Sequence, residues 1–216
     1  VNIENSMKNY PKIEYYNKVQ FGEHCIAFDK LDGSNLRFEW GHKRGWYKFG
    51  SRNVMIDKNN EQFGIGIEIF LNKYGDELDQ IFRTKYRKVP NFVVFGEFYG
   101  ENSFAGQHLD SDVKDVVLFD VNQYQRGFID PKEFVKNFGH LHIPNIIYEG
   151  KYNNQIISDV QSNKFNLSEG VIVKGMKGKE TWMVKIKTND WLNKIKEKFG
   201  EKYLLEELNN DKELLI

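Results

Sequence analysis

Short apolar runs of strand character and longer runs of helical period follow one another along this chain without a fixed repeat, and this irregular succession restricts the fold most. Residues 19–30 and 36–40 read as strands, as do residues 46–49, with Gly41 to Gly45 as a hairpin turn between the last two. From Ile67 to Phe82 apolar residues recur at helical spacing (Ile67, Phe70, Leu71, Tyr74, Leu78, Ile81), which predicts one amphipathic helix or two split near Gly75. Pro90 closes that stretch, and residues 92–99 and 116–121 are again strand-like. Asp130-Pro131-Lys132-Glu133 supplies an N-cap aspartate, a proline at the first helical position and a glutamate at the third, so a short helix is expected over Pro131 to Phe138. Residues 170–174 and 181–187 read as two strands joined through Gly175 to Lys179, and after Thr188 the pattern turns helical, with Gly200 as a break. Together these runs predict an α+β fold with largely antiparallel sheets and flanking helices.

At 216 residues the chain fits one domain with a sizeable core, or one domain with a short appendage. Lysine plus arginine and aspartate plus glutamate both number 31, so no global basic excess announces a nucleic-acid binder. Charge is concentrated locally instead. Eight lysines (Lys174, Lys177, Lys179, Lys185, Lys187, Lys194, Lys196, Lys198) stand against Glu180, Asp190 and Glu197, a surplus of five, and Arg83, Lys85, Arg87 and Lys88 form a second cluster. Either cluster alone reads equally well as a solvated face. Cys25 is the one cysteine, so no intramolecular disulfide can form and a cytoplasmic home is expected. No apolar run approaches the roughly 18 residues of a membrane span, and residues 1–11 lack the apolar stretch of a signal peptide.

The chemistry centres on Lys30, in Phe28-Asp29-Lys30-Leu31-Asp32-Gly33-Ser34-Asn35, where an apolar run ends in a lysine and a turn. A lysine amine, with an ordinary pKa of about 10.4, becomes a nucleophile when burial or nearby cations favour its neutral form. Lys185-Ile186-Lys187 offers such cations, because residues two apart on a strand face one side. An alternating surface strand has the same pattern. In Glu169-Gly170-Val171 and in Phe95-Gly96-Glu97 an acid sits beside a glycine in an apolar strand, where burial is costly without a cation, metal or hydrogen-bond partner. Glu97 is a candidate for ribose hydroxyls and, with Glu169, for a metal; a structural lysine as the partner of each acid is the plain alternative. Phe119 could stack on a purine or simply fill the core. Gly64-Ile65-Gly66 lacks the third glycine of a dinucleotide site, and Gly170 to Lys177 lacks the end of a P-loop. His140-Leu141-His142 could place two imidazoles on one strand face, but no third zinc ligand is evident nearby.

Taken in order, Lys30-Leu31-Asp32-Gly33, Ser51-Arg52, Phe95-Gly96-Glu97, Val117-Leu118-Phe119-Asp120, Ser168-Glu169-Gly170 and Lys185-Ile186-Lys187 resemble the motif series of the covalent nucleotidyltransferases. The chain resembles ATP-dependent polynucleotide ligases, and among them the phage-type RNA ligases, over roughly residues 20 to 190. DNA ligases and mRNA-capping guanylyltransferases usually carry arginine at the fifth residue after the lysine. Here Asn35 stands there, and Gly33-Ser34-Asn35 with a separate Ser51-Arg52 looks like the RNA-ligase branch. Arg37, two residues late, would share the strand face of Asn35 and keeps a minimal DNA ligase open; a guanylyltransferase and a non-catalytic nucleotide-binding module are further alternatives.

The resemblance implies a nucleotidyltransferase domain over 1–188 and a short helical tail over 189–216, since only 29 residues follow Lys187, too few for an OB-fold. It also implies joining of 5′-phosphate and 3′-hydroxyl RNA ends through a lysyl-AMP and an adenylated 5′ end. ATP is the AMP donor and Mg²⁺ or Mn²⁺ the metal. Lys30, Lys185, Lys187 and Glu169 are the expected catalytic residues. Asp29, Asp32, Asn35, Arg52, Glu97 and Phe119 join the lysines in nucleotide binding, and Glu169 and Glu97 are the expected metal ligands. A monomer is expected, with an accessory partner as one way to replace a second domain.

Overall fold

Strand alternation decides which side of each sheet is buried, and β-branched and aromatic residues dominate the buried sides. The computed structural model describes residues 9–209 apart from 106 and 108. In chain order the strands and helices are β1 (Glu14–Tyr15), β2 (His24–Asp29), β3 (Ser34–Gly41), β4 (Gly45–Ser51), β5 (Met55–Ile56), α1 (Gly64–Phe70), α2 (Asp76–Lys85), β6 (Asn91–Gly100), β7 (Lys114–Gln123), β8 (Gly127–Phe128), α3 (Pro131–Phe138), β9 (Ile146–Lys151), α4 (Asn154–Gln161), β10 (Gly170–Lys177), β11 (Glu180–Lys187) and α5 (Asn189–Asn209). The fold is α+β, as the sequence pattern predicts. Among the described residues no helix is long and apolar enough to cross a membrane.

Two compact units divide the chain: residues 9–11 with Asp32–Ile143, and Lys12–Leu31 with residues 144–209. The first unit holds a six-stranded antiparallel sheet in the order β5-β4-β3-β6-β7-β8. On one face of it Leu36, Phe38 and Trp40 are fully buried. Phe38 stacks on Phe70 of α1 with ring centroids 3.6 Å apart, and Phe92 stacks on Phe82 of α2 at 3.9 Å. A single π-helical turn, Leu71–Gly75, joins α1 to α2 without a break, so the expected split near Gly75 is a local widening of one continuous helical run. At α3 the expected bounds hold: the Asp130 side chain accepts from the backbone N–H groups of Lys132 (2.8 Å) and Glu133 (3.1 Å).

The second unit holds a five-stranded sheet in the order β1-β11-β10-β2-β9, antiparallel except for the short pairing of β1 with β11. Its core joins Cys25, Ala27, Val171, Val173, Val184 and Ile186 to Ile156, Ile157 and Val160 of α4. Burial pushes the Cys25 thiol up to about 12, which keeps it protonated and inert at neutral pH. The strand expected from Val19 begins only at His24: residues 18–22 form a turn in which Phe21 N donates to Lys18 O and Gly22 takes φ 89°. In α5 the break sits at Gly200, with φ 86°.

Candidate active site

Four backbone contacts bring distant residues to one end of the five-stranded sheet. Asp29 on β2 pairs with Val171 on β10, and the next residue prolongs that ladder, Lys30 N donating to Gly170 O at 2.9 Å. Gly170 in turn pairs with Lys187 on β11, and Thr188 N donates to Glu169 O at 2.9 Å. Glycine is required at 170: a Cβ there would meet the Ile186 carbonyl oxygen and lie 2.8 Å from Lys187 Cα. This close approach places Glu169 between two lysines that are 157 residues apart in sequence.

The Glu169 carboxylate uses both oxygens. Oε2 accepts from Lys30 Nζ at 2.8 Å, and Oε1 lies 3.0 Å from Lys187 Nζ. Glu169 is 2 % exposed and Lys187 4 %, so the pair is removed from water and depends on mutual charge compensation; Lys30 keeps 24 % of its side chain accessible. The indole of Trp191, in the first turn of α5, covers the Lys187 ammonium, 3.7 Å from the ring centroid. Lys185 shares a strand side with Lys187, yet its ammonium lies over the Tyr15 ring at 4.4 Å, on the β1 edge of the sheet. Of the two lysines expected to serve Lys30, then, Lys187 shares its carboxylate, whereas Lys185 has an aromatic neighbour.

Asp29 adds a second acid. Its Oδ1 is buried without a hydrogen bond, and burial together with the nearby Glu169 charge raises its pKa, against the opposing effect of the Lys30 backbone N–H and ammonium. An orphaned carboxylate oxygen beside a second carboxylate suits a divalent cation, and Asp29 and Glu169 are the pair in this unit that would hold one. Among the described residues no group of three or more His, Cys, Asp or Glu side chains is placed to hold a metal ion.

In the six-stranded unit the predicted residues cluster around the β3–β6 pairing. Asn35 pairs with Glu97, and the Glu97 carboxylate accepts from Gly33 N at 3.1 Å. Gly33 sits too close to the Phe98 carbonyl oxygen for a side chain. Asp32 Oδ2 accepts from Ala105 N at 2.5 Å. Phe119 is the extra residue of a bulge in β7, half-buried, with Tyr10 edge-on at 5.1 Å and Phe95 tilted at 6.3 Å. Arg52 is exposed in the turn after β4. Arg37 does lie two residues from Asn35 on β3, but it is 1 % exposed, its Nη2 donating to Met55 Sδ at 2.9 Å and its Nε 3.5 Å from Glu39 Oε1. His140 and His142 follow α3 in a turn rather than a strand, and face Glu77 (2.7 Å) and Lys73 (2.6 Å) respectively.

The sequence reading took the stretch after Thr188 as helix and did not single out Trp191 as a site residue. The signal was present: Lys187 ends a strand, Thr188 caps the next helix by accepting from Trp191 N at 3.1 Å, and the capped residue therefore folds back over the strand end. Tyr10 and Tyr15 lie in segments without strong periodicity and gave no such signal.

With this geometry established, the comparisons are decisive on family. The RNA ligase family model matches residues 23–194, most of the chain and all of the motifs described above. The chain belongs to the RNA ligase family. It also shares its fold with solved structures of an RNA ligase from Naegleria gruberi. One, bound to pyrophosphate, is 19 % identical, with a TM-score of 0.64 over 89 % of this chain and 59 % of that one. A single-residue variant with ATP and Mn is 20 % identical, with a TM-score of 0.59 over 81 % and 52 %. Another variant, with AMP and Mn, is 17 % identical, with a TM-score of 0.63 over 87 % and 58 %. This RNA ligase family chain thus spans little more than half the length of those ligases. No curated protein sequence matches it.

Proposed function

We propose that this chain is an ATP-dependent RNA ligase that joins 5′-phosphate to 3′-hydroxyl ends through an AMP carried on Lys30. The observation that carries this reading is the Glu169 carboxylate shared between Lys30 and Lys187, at 2.8 and 3.0 Å, at the meeting of β2, β10 and β11. An amine that donates to a carboxylate carries its proton, and Glu169 is the acceptor in contact when that proton is shed. Lys30 Nζ then bonds to the α-phosphorus of ATP, the bond from that phosphorus to the bridging oxygen breaks, and pyrophosphate leaves. Lys187 and Lys185 supply positive charge for the phosphates, and catalysis is largely position and electrostatics. A divalent cation held by Asp29 and Glu169 would neutralise phosphate charge when bound. The solved relatives with ATP, AMP and Mn support this assignment of nucleotide and metal.

The ordered set Asp32, Asn35, Arg52, Glu97 and Phe119 is assigned to nucleotide binding by resemblance to the family motifs. In the second step the 5′-phosphate of a strand attacks the lysyl-AMP phosphorus and frees Lys30; in the third a 3′-hydroxyl displaces AMP. Incubation with α-labelled ATP and Mg²⁺ should label the chain, and Lys30→Ala should abolish the label. An adduct that survives Lys30→Ala, or none in the parent chain, refutes the mechanism. Offered nicked duplex RNA, nicked DNA and single-stranded RNA, the chain should seal an RNA substrate; sealing of nicked DNA alone makes it a DNA ligase.

A further inference from the structure

We propose that Trp191 is a positioning residue for the adenylation step, holding the Lys187 ammonium against Glu169 so that the carboxylate presents its other oxygen to Lys30. This inference rests on the reading of Lys30 as the adenylated nucleophile. Four observations converge on it. The Lys187 ammonium lies 3.7 Å from the Trp191 ring centroid, closer than the other lysine–aromatic contact at the site, Lys185 over Tyr15 at 4.4 Å. Trp191, Lys187 and Glu169 are 5 %, 4 % and 2 % exposed, so the contact is desolvated, where a cation over an indole face is strongest. The backbone N–H of Trp191 donates to the Thr188 hydroxyl at 3.1 Å, which sets where α5 begins beside the end of β11. Finally, Glu169 divides its two oxygens between Lys187 and Lys30, so any drift of Lys187 releases the carboxylate that orients Lys30.

The chemical consequence is specific. Lys187 could satisfy its charge by swinging toward solvent or by drawing both carboxylate oxygens to itself. The indole face offers the ammonium a second favourable surface besides Glu169, which leaves one oxygen for Lys30. The first turn of α5, beyond the last family motif, thereby becomes part of the catalytic geometry rather than a tail that merely follows it.

The test pairs kinetics with a readout that needs no activity. In the full chain carrying ¹³C-labelled lysine, Lys185 over Tyr15 is also expected to be ring-shifted, so the Lys187 ε-methylene is identified as the signal that disappears in Lys187→Met; it should lie upfield of the ordinary position and return to it in Trp191→Leu. In single-turnover labelling with ATP, Trp191→Leu should slow adduct formation about ten- to thirtyfold, the scale of a desolvated cation–π contact, while Trp191→Phe, which keeps a π face, should stay within about threefold of the parent. Ile195→Val, which loosens α5 without touching Lys187, should leave the rate unchanged. The positioning role is overturned by an unshifted Lys187 signal in the parent chain, by a Trp191→Leu rate equal to the parent's, or by Ile195→Val slowing adduct formation as much as Trp191→Leu. A parent chain that shows the shifted Lys187 signal but forms no adduct on Lys30 overturns the adenylation reading, and the positioning role with it, and is recognised by the intact shift.

Discussion

Glu169 is the residue on which the five-stranded unit's chemistry turns, because a carboxylate 2 % exposed survives burial only through the two ammoniums it touches. Glu169→Gln keeps the shape and removes the charge, leaving Lys187 buried beside a neutral amide. The expected cost is roughly 3 kcal/mol of stability, read as a lower urea midpoint, together with at least about a hundredfold slower Lys30 labelling. Labelling at the parent rate would show that the carboxylate is structural. Asp29 carries the opposite sign. Its pKa is raised by burial and by Glu169, so the folded chain holds that proton more tightly than the unfolded chain does. The stability so gained is complete below the ordinary carboxylate pKa and is lost as pH rises through the raised folded value, so at neutral pH the Asp29 charge counts against the fold. In buffer free of divalent cations Asp29→Asn should therefore raise the Tm at pH 7, and the gain should vanish by about pH 3. Thermal melts across that range decide it; a Tm that falls at pH 7 would mean that the protein itself compensates the charge, through the Lys30 ammonium and backbone N–H, without a divalent cation. At this scale Lys30, Glu169 and Lys187 were legible because each stands in a short motif with a chemical reason for its residue type. Trp191 was legible only in part: the Thr188 cap after Lys187 marks where the helix turns back, but helical spacing says nothing of a cation beneath an indole face.

Strands and helices carry these residues into register, and the tightest constraint is at the start of β10. Gly170 lets β10 approach β11 so closely that any Cβ would strike the backbone at Ile186 and Lys187. Gly170→Ala should push the strands apart where Lys187 and Glu169 meet, costing a few kcal/mol in denaturant unfolding and slowing Lys30 labelling at temperatures where the variant remains folded. Unchanged unfolding would show that the close approach relaxes freely. The elements with strong local chemistry were legible in advance. The Asp130 cap and Pro131 set the start of α3, and the Ile67 to Phe82 spacing set the α1–α2 run, although not the π-helical turn that keeps it continuous. The strand expected to begin at Val19 starts later because Gly22, at φ 89°, turns the chain. Three elements escaped because they are two residues long and exist only through their partners: β1, β5 and β8. β9 is half exposed and has no apolar alternation, while α4 announced itself only by the Asn153 cap and the Ile156, Ile157, Val160 spacing.

Across the whole molecule, charge looks different once burial is known. The basic stretch from Lys174 to Lys198 has a surplus of five in sequence, but Lys174 and Lys187 are buried and Lys185 is half-buried. That leaves five exposed lysines (Lys177, Lys179, Lys194, Lys196, Lys198) against exposed Glu180, Asp190 and Glu197, a surplus of two. In the second cluster Arg83 is tied to Asp79 at 2.7 Å and Lys85 donates to Asn137 at 3.1 Å. The lysines that sequence presents as one basic patch therefore divide between a buried or half-buried group and a thinly charged surface, and the net charge of the chain is zero. For a single strand, affinity falls with salt as roughly the 0.7 power per phosphate neutralised, so about two effective contacts predict a loss of roughly sevenfold between 50 and 200 mM salt. Binding of a 5′-phosphorylated RNA by the full chain, followed by fluorescence anisotropy across that range, measures the slope directly. A loss of a thousandfold or more would require about seven or more phosphate contacts and would place RNA binding on the Arg83, Lys85, Arg87 and Lys88 cluster as well. A shallow slope combined with rapid Lys30 labelling would mean that adenylation draws on the buried lysines while strand capture draws on few surface charges, and on that account sealing under subsaturating RNA should lose only about that sevenfold more rate between 50 and 200 mM salt than self-adenylation does.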